Sequence, residues 1–288
     1  MTVSKCALLV CSVVVLGACT TVGPDYVRPD SPLGPEWYEA EFARYDTEAE
    51  QQVLWWKALG DPVLDELIDL AHQQNNNLQI AGLRVLESRA QLGIAVGSKY
   101  PQAQVVAGDA TAVQASENAP NTAAGDLSFT QFNVGVSASW EIDFWGKFRR
   151  GIESADAAYF ASVAGYDQVM ILVTAQVCST YLAIRTLEEQ LRITNDNIAI
   201  QQRSFDIVNV QFQNGSTSEL DVLQAQTLLM ATKATLPALQ TELYQAKNAL
   251  ATLLGKPPSD MSDLLKGSSS IPTVPEKLAV GLPADLLR

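Results

Sequence analysis

The side chains that could carry acid–base, nucleophilic or metal chemistry are few, and they are not spaced for it. His72 is the only histidine among 288 residues, which excludes histidine triads and histidine-rich metal sites. It lies in a polar helical stretch, where an exposed or hydrogen-bonded structural role is expected. Asp65, Glu66 and Asp69 form a solvated helix face, and the run that starts at Gly215 lacks the lysine of a phosphate-binding loop. The sequence predicts a protein that is not an enzyme.

A cysteine near the N-terminus is placed for a different chemistry, the attachment of lipid. Lys5 precedes an apolar run over residues 6–16 that is too short to span a membrane as a helix. The run ends in Leu16-Gly17-Ala18-Cys19, which resembles a bacterial lipoprotein signal cleaved before Cys19. We expect a signal peptide over residues 1–18, diacylglycerol and an N-acyl chain on Cys19, and no other cofactor. Thr20 resembles the sorting residue of lipoproteins sent to the outer membrane, and an ordinary signal peptide is the alternative.

The bulk composition removes several further classes of protein. The chain has 19 Lys and Arg against 32 Asp and Glu, a net charge of −13, so no nucleic-acid partner is expected because phosphate binding needs clustered positive charge. A mean hydropathy of +0.05 is too low for a polytopic helical membrane protein. After signal removal and acylation only Cys178 remains, which leaves no intramolecular disulfide and predicts a buried, inert thiol.

Residues 128–144 alternate between apolar and polar side chains, which predicts a long strand with one apolar face and one polar face. The apolar set is Phe132, Val134, Val136, Ala138, Trp140, Ile142 and Phe144, and the polar set is Gln131, Asn133, Ser137, Ser139, Glu141 and Asp143. The strand exceeds the roughly 9–11 residues that cross a bilayer, and Trp140, Phe144 and Trp145 suit a membrane-interface girdle. With a first strand over 102–115, we expect a transmembrane hairpin whose polar residues face a lumen. A half-buried soluble strand gives the same period.

The remaining elements are helical and must position that hairpin. Asp61-Pro62 opens a helix over 62–97, and a proline-free helix over 148–213 carries a heptad seam that predicts a coiled coil about 100 Å long. Asn214-Gly215 breaks it, and a return helix follows over 217–254. An extended segment over 19–60 precedes these elements, and a loop-rich tail over 255–288 ends the unit that starts at residue 61. The predicted fold class is mainly α with a β-hairpin, built from long antiparallel coiled-coil helices and two transmembrane barrel strands.

Several motifs in this order resemble outer-membrane efflux channels of the TolC/OprM type, in particular their NodT-like lipoprotein branch. They are LGAC before GPDYVRP, WWKALGDPVLDELIDLA, YPQAQV, SWEIDFWGKFRRG, FQNGSTSELDVLQAQ and NALATLLGKPP, with GLPADLLR last. The resemblance implies a homotrimer anchored in outer-membrane lipid and extending into the periplasm, which serves a tripartite, RND-type system as a passive exit duct for drugs or other small molecules. It also implies an inner-membrane efflux pump and a periplasmic adaptor as partners. The adaptor-docking tip maps to Phe212, Asn214, Gly215, Ser216 and Thr217.

The resemblance covers only the first of the two structural repeats that such subunits carry. The chain stops at Arg288, where the family continues with an Arg-Pro-Asp run, so we expect half of a channel subunit that does not conduct alone. Two rival functions remain, a periplasmic adaptor and a non-conducting structural lipoprotein. The long strand pair distinguishes this chain from adaptors, which flank their helical hairpin with small β modules. The exported substrate is not encoded in any residue pattern.

Overall fold

The computed structural model describes residues 21–27, 29, 45–46, 54–118, 120, 126–258, 261–267, 270–274 and 278–279. The predicted signal peptide, Cys19 and most of the segment over 19–60 lie outside these residues. The described elements, in chain order, are β1 (Tyr45–Asp46), a 3-10 helix (Trp55–Leu59), α1 (Pro62–Gln74), α2 (Asn76–Gly97), β2 (Ala103–Gln114), β3 (Ser128–Ser139), α3 (Lys147–Gln213), α4 (Glu219–Leu253) and β4 (Leu278–Ala279). The fold is mainly helical with one antiparallel hairpin, as predicted.

The chain divides into two compact units. One unit comprises residues 1–26 and 83–164, and the other comprises residues 27–82 and 165–288. The first contains the β2–β3 pair, whose strands are antiparallel from Ala103↔Ser139 to Gln114↔Ser128. The second contains the hydrophobic core, and there β1 and β4 make a short parallel pair.

The helix predicted over 62–97 is in fact two helices, α1 and α2, separated at Asn75. The Asp61 carboxylate caps α1 by accepting the Val63 N–H at 2.9 Å, and Pro62 occupies the first turn. Asn75 has extended backbone angles, and its side-chain oxygen accepts the Leu78 N–H at 3.0 Å. An asparagine side chain that bonds to nearby backbone competes with the helix ladder, and this is why the helix stops and restarts here.

The second strand is shorter than predicted, because β3 ends at Ser139 rather than at residue 144. Its partner begins at Ala103, just after Pro101, which has no N–H to donate to a ladder. The Gln102 side chain takes over, accepting the Glu141 N–H at 2.7 Å and donating to the Glu141 carbonyl at 3.3 Å. Trp140, Glu141, Asp143 and Phe144 therefore lie beyond the strand. The prediction that Glu141 and Asp143 belong to a lumen-facing strand is wrong.

Strand pairing decides which face of β2 is the apolar one. By alternation alone, Ala103, Val105, Ala107, Thr111, Val113 and Ala115 share one face. The register places Val106 opposite Val136 and Gly108 opposite Val134, so the even-numbered residues of β2 share the apolar face of β3. Small apolar residues occur on both faces of β2, and its own alternation was too weak to decide the orientation.

Within the second unit, residues 165–213 of α3 and helix α4 form the predicted antiparallel hairpin. The seam positions of α3 from Leu187 to Val208 are half-buried, whereas most of their neighbours are exposed. Two polar contacts bridge the helices: Lys247 Nζ lies 3.4 Å from Glu188 Oε1, and Lys233 Nζ donates to Gln202 Oε1 at 3.0 Å. Each pair is symmetric about the turn at residues 217 and 218, as an antiparallel hairpin requires.

The core of the second unit lies where α1, α3 and α4 meet. Its fully buried members include Leu64, Ile68, Val177, Ile184 and Leu250. The tail contributes Met261 and Leu265 to the same core. By length and composition α3 is the one helix in the described residues that could cross a membrane, but 39% of its apolar window is buried within the protein. Packing against this core accounts for the buried part of that stretch, whereas Ile171 and Leu172 are exposed.

Candidate functional site

The β2–β3 pair exposes both of its faces, although one of them is strongly apolar. Phe132 is 74% exposed, Val134 85% and Val136 80%, and Val106 on the neighbouring strand is 77% exposed. A strand pair in a soluble protein hides such a face on a core. Within the first unit, nothing that the structure describes covers it.

The opposite face of the pair carries a line of polar side chains joined to one another. Gln131 Nε2 donates to Asn133 Oδ1 at 3.1 Å, and Asn133 Nδ2 donates across the pair to Asp109 Oδ2 at 3.0 Å. Ser137 and Ser139 lie on this same face by register. The structure therefore brings four of the six predicted lumen residues together, and their lumen-facing role stays a prediction. Amides, hydroxyls and one carboxylate offer hydration and weak hydrogen bonding but no catalysis.

The predicted interface aromatics are exposed and lie in the junction between β3 and α3. Trp140, Phe144 and Trp145 are 56%, 54% and 62% exposed. The Trp140 indole Nε1–H donates to the Lys99 carbonyl at 3.1 Å, so its ring is held in a fixed orientation with its polar group satisfied. An aromatic ring with an apolar body and a bonded polar edge suits the boundary between lipid and water. The membrane-interface role of these three residues stays a prediction.

The two junction carboxylates pair with cations at the start of α3. Glu141 Oε1 lies 3.1 Å from Lys147 Nζ, and Asp143 Oδ2 lies 3.4 Å from Arg149 Nε. Burial raises the pKa of Asp143, but hydrogen bonds from the Arg149 and Phe148 backbone N–H groups outweigh it, and the pKa is lowered. Asp143 thus satisfies free N–H groups at the helix start. Sequence analysis missed this, although an Asp four residues before a helix was a usable signal.

The helical tip is a tight turn that its own side chains close. The Asn214 side chain donates to the Val210 carbonyl at 2.8 Å, the Gly215 N–H donates to the Phe212 carbonyl at 2.9 Å, and Gly215 has φ +71°. The Ser216 N–H donates to the Gln211 carbonyl at 2.9 Å. The structure brings the five predicted tip residues together, while docking of an adaptor there stays a prediction.

A capping box that the sequence analysis did not name starts α4. Ser218 caps the helix, and the Asp221 carboxylate accepts the Ser218 hydroxyl at 2.6 Å, the Ser218 N–H at 3.0 Å and the Thr217 hydroxyl at 2.6 Å. These bonds lower the pKa of Asp221 to about 2. The signal was available in the sequence, since Ser218 is followed three residues later by an acidic side chain.

Buried polar contacts in the second unit serve the fold. The Tyr181 hydroxyl donates to Asp61 Oδ2 at 2.6 Å, and Arg185 donates to the Leu265 carbonyl at 2.7 Å. His72 Nε2 lies 2.8 Å from the Thr174 hydroxyl, a structural contact. Burial raises the pKa of the Cys178 thiol to about 11, which makes it a poor nucleophile. Among the described residues, no group of three or more His, Cys, Asp or Glu side chains is placed to hold a metal.

An exposed strand pair, joined through an aromatic junction to a long antiparallel helical hairpin, is the architecture of an outer-membrane duct protein. The chain belongs to the outer membrane efflux protein family, whose model matches residues 67–256. The resemblance stated from the motifs is thereby confirmed. Membership places the chain among outer-membrane channel proteins, a family that is not made up of enzymes.

Individual relatives agree with this assignment. The chain is 29% identical over 279 residues to "Nodulation protein T" from Rhizobium leguminosarum bv. trifolii, covering 95% of this chain and 57% of that protein. It is 28% identical to "Probable outer membrane lipoprotein SilC" from Salmonella typhimurium, covering 97% of this chain and 59% of that protein. The solved structure of the outer-membrane channel OprN is similar with a TM-score of 0.82 and 29% identity, covering 93% of this chain and 59% of that one. The chain thus spans a little over half the length of these relatives.

Proposed function

We propose that the chain contributes to the wall of an outer-membrane efflux channel, a passive exit duct for small molecules in a tripartite system. The observation that carries this proposal is the β2–β3 pair, whose apolar face is 74–85% exposed at Phe132, Val134 and Val136, three alternate positions of β3. The opposite face carries amides, hydroxyls and the Asp109 carboxylate, with Val105 and Phe129 also exposed on it. A transmembrane barrel requires strands with an apolar face toward lipid and a polar face toward the lumen.

The length and edges of the pair support a barrel over a soluble sheet. Each strand has 12 residues, and about 9–11 tilted residues are enough to cross the hydrocarbon core. A membrane strand cannot leave its edge N–H and C=O groups unpaired, so both outer edges of this pair need neighbouring strands. Three copies supply six strands, below the roughly eight of the smallest ordinary barrels. A closed wall of a homotrimer therefore requires strands in addition to this pair.

The partners are assigned from the helical tip and from Cys19. We assign the tip at residues 212–217 to a periplasmic adaptor that links the duct to an inner-membrane pump. Its supporting features are a turn fixed by side-chain bonds and exposed apolar residues beside it, with Phe212 40% and Leu220 62% exposed. We assign an acylated Cys19 as the lipid anchor, and we assign no catalytic activity to the chain. The lipoprotein name of one relative supports the anchor.

The decisive experiment places the same charge on opposite faces of one strand. Val134 and Asn133 are neighbours in β3, both exposed, and they point to opposite faces. In an assembly that contains the further strands, Val134→Arg should reduce outer-membrane assembly, because an arginine facing lipid near the midplane costs about 2–4 kcal/mol. Asn133→Arg should assemble normally. Assembly is measured as heat-modifiable migration and as retention in the membrane after a urea wash.

Equal behaviour of the two variants would overturn the barrel proposal. Cys19→Ser then separates the rivals: a barrel protein stays in the membrane without its anchor, whereas an adaptor or a structural lipoprotein is released. Release of Cys19→Ser together with tolerance of Val134→Arg would favour those rivals.

A further inference from the structure

The segment that follows Cys19 is bound to the junction between β3 and α3, and both belong to the same compact unit. The Val22 N–H donates to the Trp145 carbonyl at 3.0 Å. Arg150 Nη2 donates to the Gly23 carbonyl at 3.2 Å and to Asp25 Oδ1 at 2.7 Å. Three contacts over four residues fix the path of this segment along the junction.

Gly146 makes the contact close. It is buried and has φ +83°, and a Cβ added there would overlap the Thr21 Cγ2 atom and lie 3.2 Å from the Thr21 Cα. Any side chain at position 146 would push Thr21 off the junction, and the backbone angle alone would strain it. On the other side, Glu153 holds the Arg150 guanidinium through a 2.7 Å bond to Nη1, which presents Nη2 to the segment.

We propose that residues 21–25 and the junction residues Trp145, Gly146 and Arg150 form an anchor clamp, which fixes where the acyl chains on Cys19 enter the membrane. This inference rests on the proposed function, since it requires lipid on Cys19. Thr21 is two residues from Cys19, a reach of at most about 7 Å. The clamp therefore delivers the acyl chains beside the exposed rings of Phe144 and Trp145.

The partner of the clamp is the outer-membrane lipid surface. Val22 and Tyr26 are 67% and 76% exposed, so the N-terminal segment, like the junction, presents exposed apolar side chains. Anchor and barrel strands would then meet the bilayer at one level, because both are fixed to the same short junction. An unclamped segment would leave the anchor free to enter elsewhere around the protein.

The test uses the full chain, expressed with its signal and recovered in outer-membrane vesicles. A nitroxide is attached to Val22→Cys, whose side chain is exposed, in the parent and in two clamp variants, Gly146→Val and Arg150→Gln. Two matched controls touch neighbouring positions only. Gly151→Ala adds a Cβ with nothing within 4 Å, and Arg149→Gln removes a guanidinium that pairs with Asp143 rather than with the segment. Palmitate labelling is measured on every sample.

We expect an immobilised nitroxide at the level of the lipid headgroups in the parent and in both controls. In both clamp variants the immobilised component should be lost and the probe should become accessible to a water-soluble relaxing agent, with palmitate labelling unchanged. Unchanged spectra in both clamp variants on a palmitate-labelled protein would overturn the clamp and leave the anchored channel standing. Absence of palmitate from the parent would overturn the anchor, and the clamp with it.

Discussion

The glycine that ends α4 allows the closest packing of two helix ends in the second unit. Gly255 has φ +66°, and a Cβ added to it would overlap the Gln74 carbonyl oxygen and lie 3.1 Å from the Gln74 carbonyl carbon. Beside it, Asn75 Nδ2 donates to the Leu253 carbonyl at 2.7 Å. The end of α1 and the end of α4 are thus in backbone contact, and neither atom can rotate away as a side chain would.

Gly215 at the helical tip provides a matched control. It has nearly the same backbone conformation, φ +71°, but nothing lies within 4 Å of an added Cβ. Alanine in the left-handed region costs about 1–2 kcal/mol, partly offset by about 0.4–1 kcal/mol from a less flexible unfolded chain. Gly215→Ala should therefore lower the free energy of unfolding by about 0–1.6 kcal/mol. Gly255→Ala adds an overlap with backbone, which costs about 1–3 kcal/mol more.

The assay is urea unfolding followed by far-ultraviolet circular dichroism on the parent and both variants. Asparagine tolerates the left-handed region, so Gly215→Asn should be close to neutral while Gly255→Asn remains destabilising. In Gly255→Ala the Leu78 amide should also exchange faster, because the displaced helix end disturbs Asn75. Equal losses of unfolding free energy in Gly215→Ala and Gly255→Ala would refute the reasoning. The backbone conformation would then explain the whole effect, and the contact with Gln74 would contribute nothing.

Three further predictions follow from the polar and thiol groups. Tyr181→Phe should lower the free energy of unfolding by about 1–3 kcal/mol, since it leaves buried Asp61 without its hydroxyl donor. Tyr244, whose side chain is 69% exposed, is the control: Tyr244→Phe should leave the free energy of unfolding in the same urea titration nearly unchanged. The pKa of Asp221 is lowered from 3.8 to about 2, so its contribution to folding stability should be complete above pH 4 and lost as the pH falls through about 2. Thermal unfolding measured at several pH values checks this. Asp221→Asn should remove the pH dependence. Native Cys178, with a pKa raised from 9.0 to about 11, should be about a hundredfold poorer in thiolate than an ordinary cysteine, and maleimide labelling with peptide mapping should show slow reaction that becomes fast in urea.

The helical part of the fold could be read from the sequence because long-range packing repeats a local pattern there. A proline-free heptad run predicted a helix over 148–213, and the structure has α3 at Lys147–Gln213. Asn214-Gly215 marked the turn because glycine supplies a positive φ without steric cost. Every turn of these helices repeats the same apolar spacing, so many residues indicate the same helix.

The errors occurred where one side chain changes the backbone path. A single asparagine at position 75 splits the first helix by bonding to the Leu78 N–H, and no periodicity reveals such a bond. The end of β3 depends on Pro101 and Gln102, which lie just before β2, and Gln102 is 39 residues from its partner Glu141. The face of β2 depends on register, since Val106 pairs with Val136 only once both strands are aligned.

The candidate sites also differ in how far the sequence could predict them, depending on whether their residues are near or far apart in the chain. The turn at the tip and the polar face of β3 were indicated by local sequence, and the structure brings together the five tip residues and four of the six polar residues. The Asp61–Tyr181 bond joins residues 120 positions apart, and the contact of Arg150 with Asp25 joins residues 125 apart. Pairings at that separation depend on the folded path of the chain, which one sequence does not display.

The strand pair and the anchor clamp raise the same physical question, which is how a protein with an exposed apolar face reaches the right membrane position. The apolar face of β3 is not buried by any described part of the chain, so exposed to water it favours aggregation. An acylated residue held near the end of that strand by Val22 and Arg150 would bring the apolar face to lipid before the sheet closes. Once the acyl chains are in the membrane, contact between the strand and the membrane becomes intramolecular and therefore more frequent. In this view the long seam of α3 and α4 does not drive insertion, since its contacts are satisfied without lipid. Membrane entry and helical folding would then be separable, and variants that free the clamp should slow assembly in the membrane while leaving the urea unfolding of the helices unchanged.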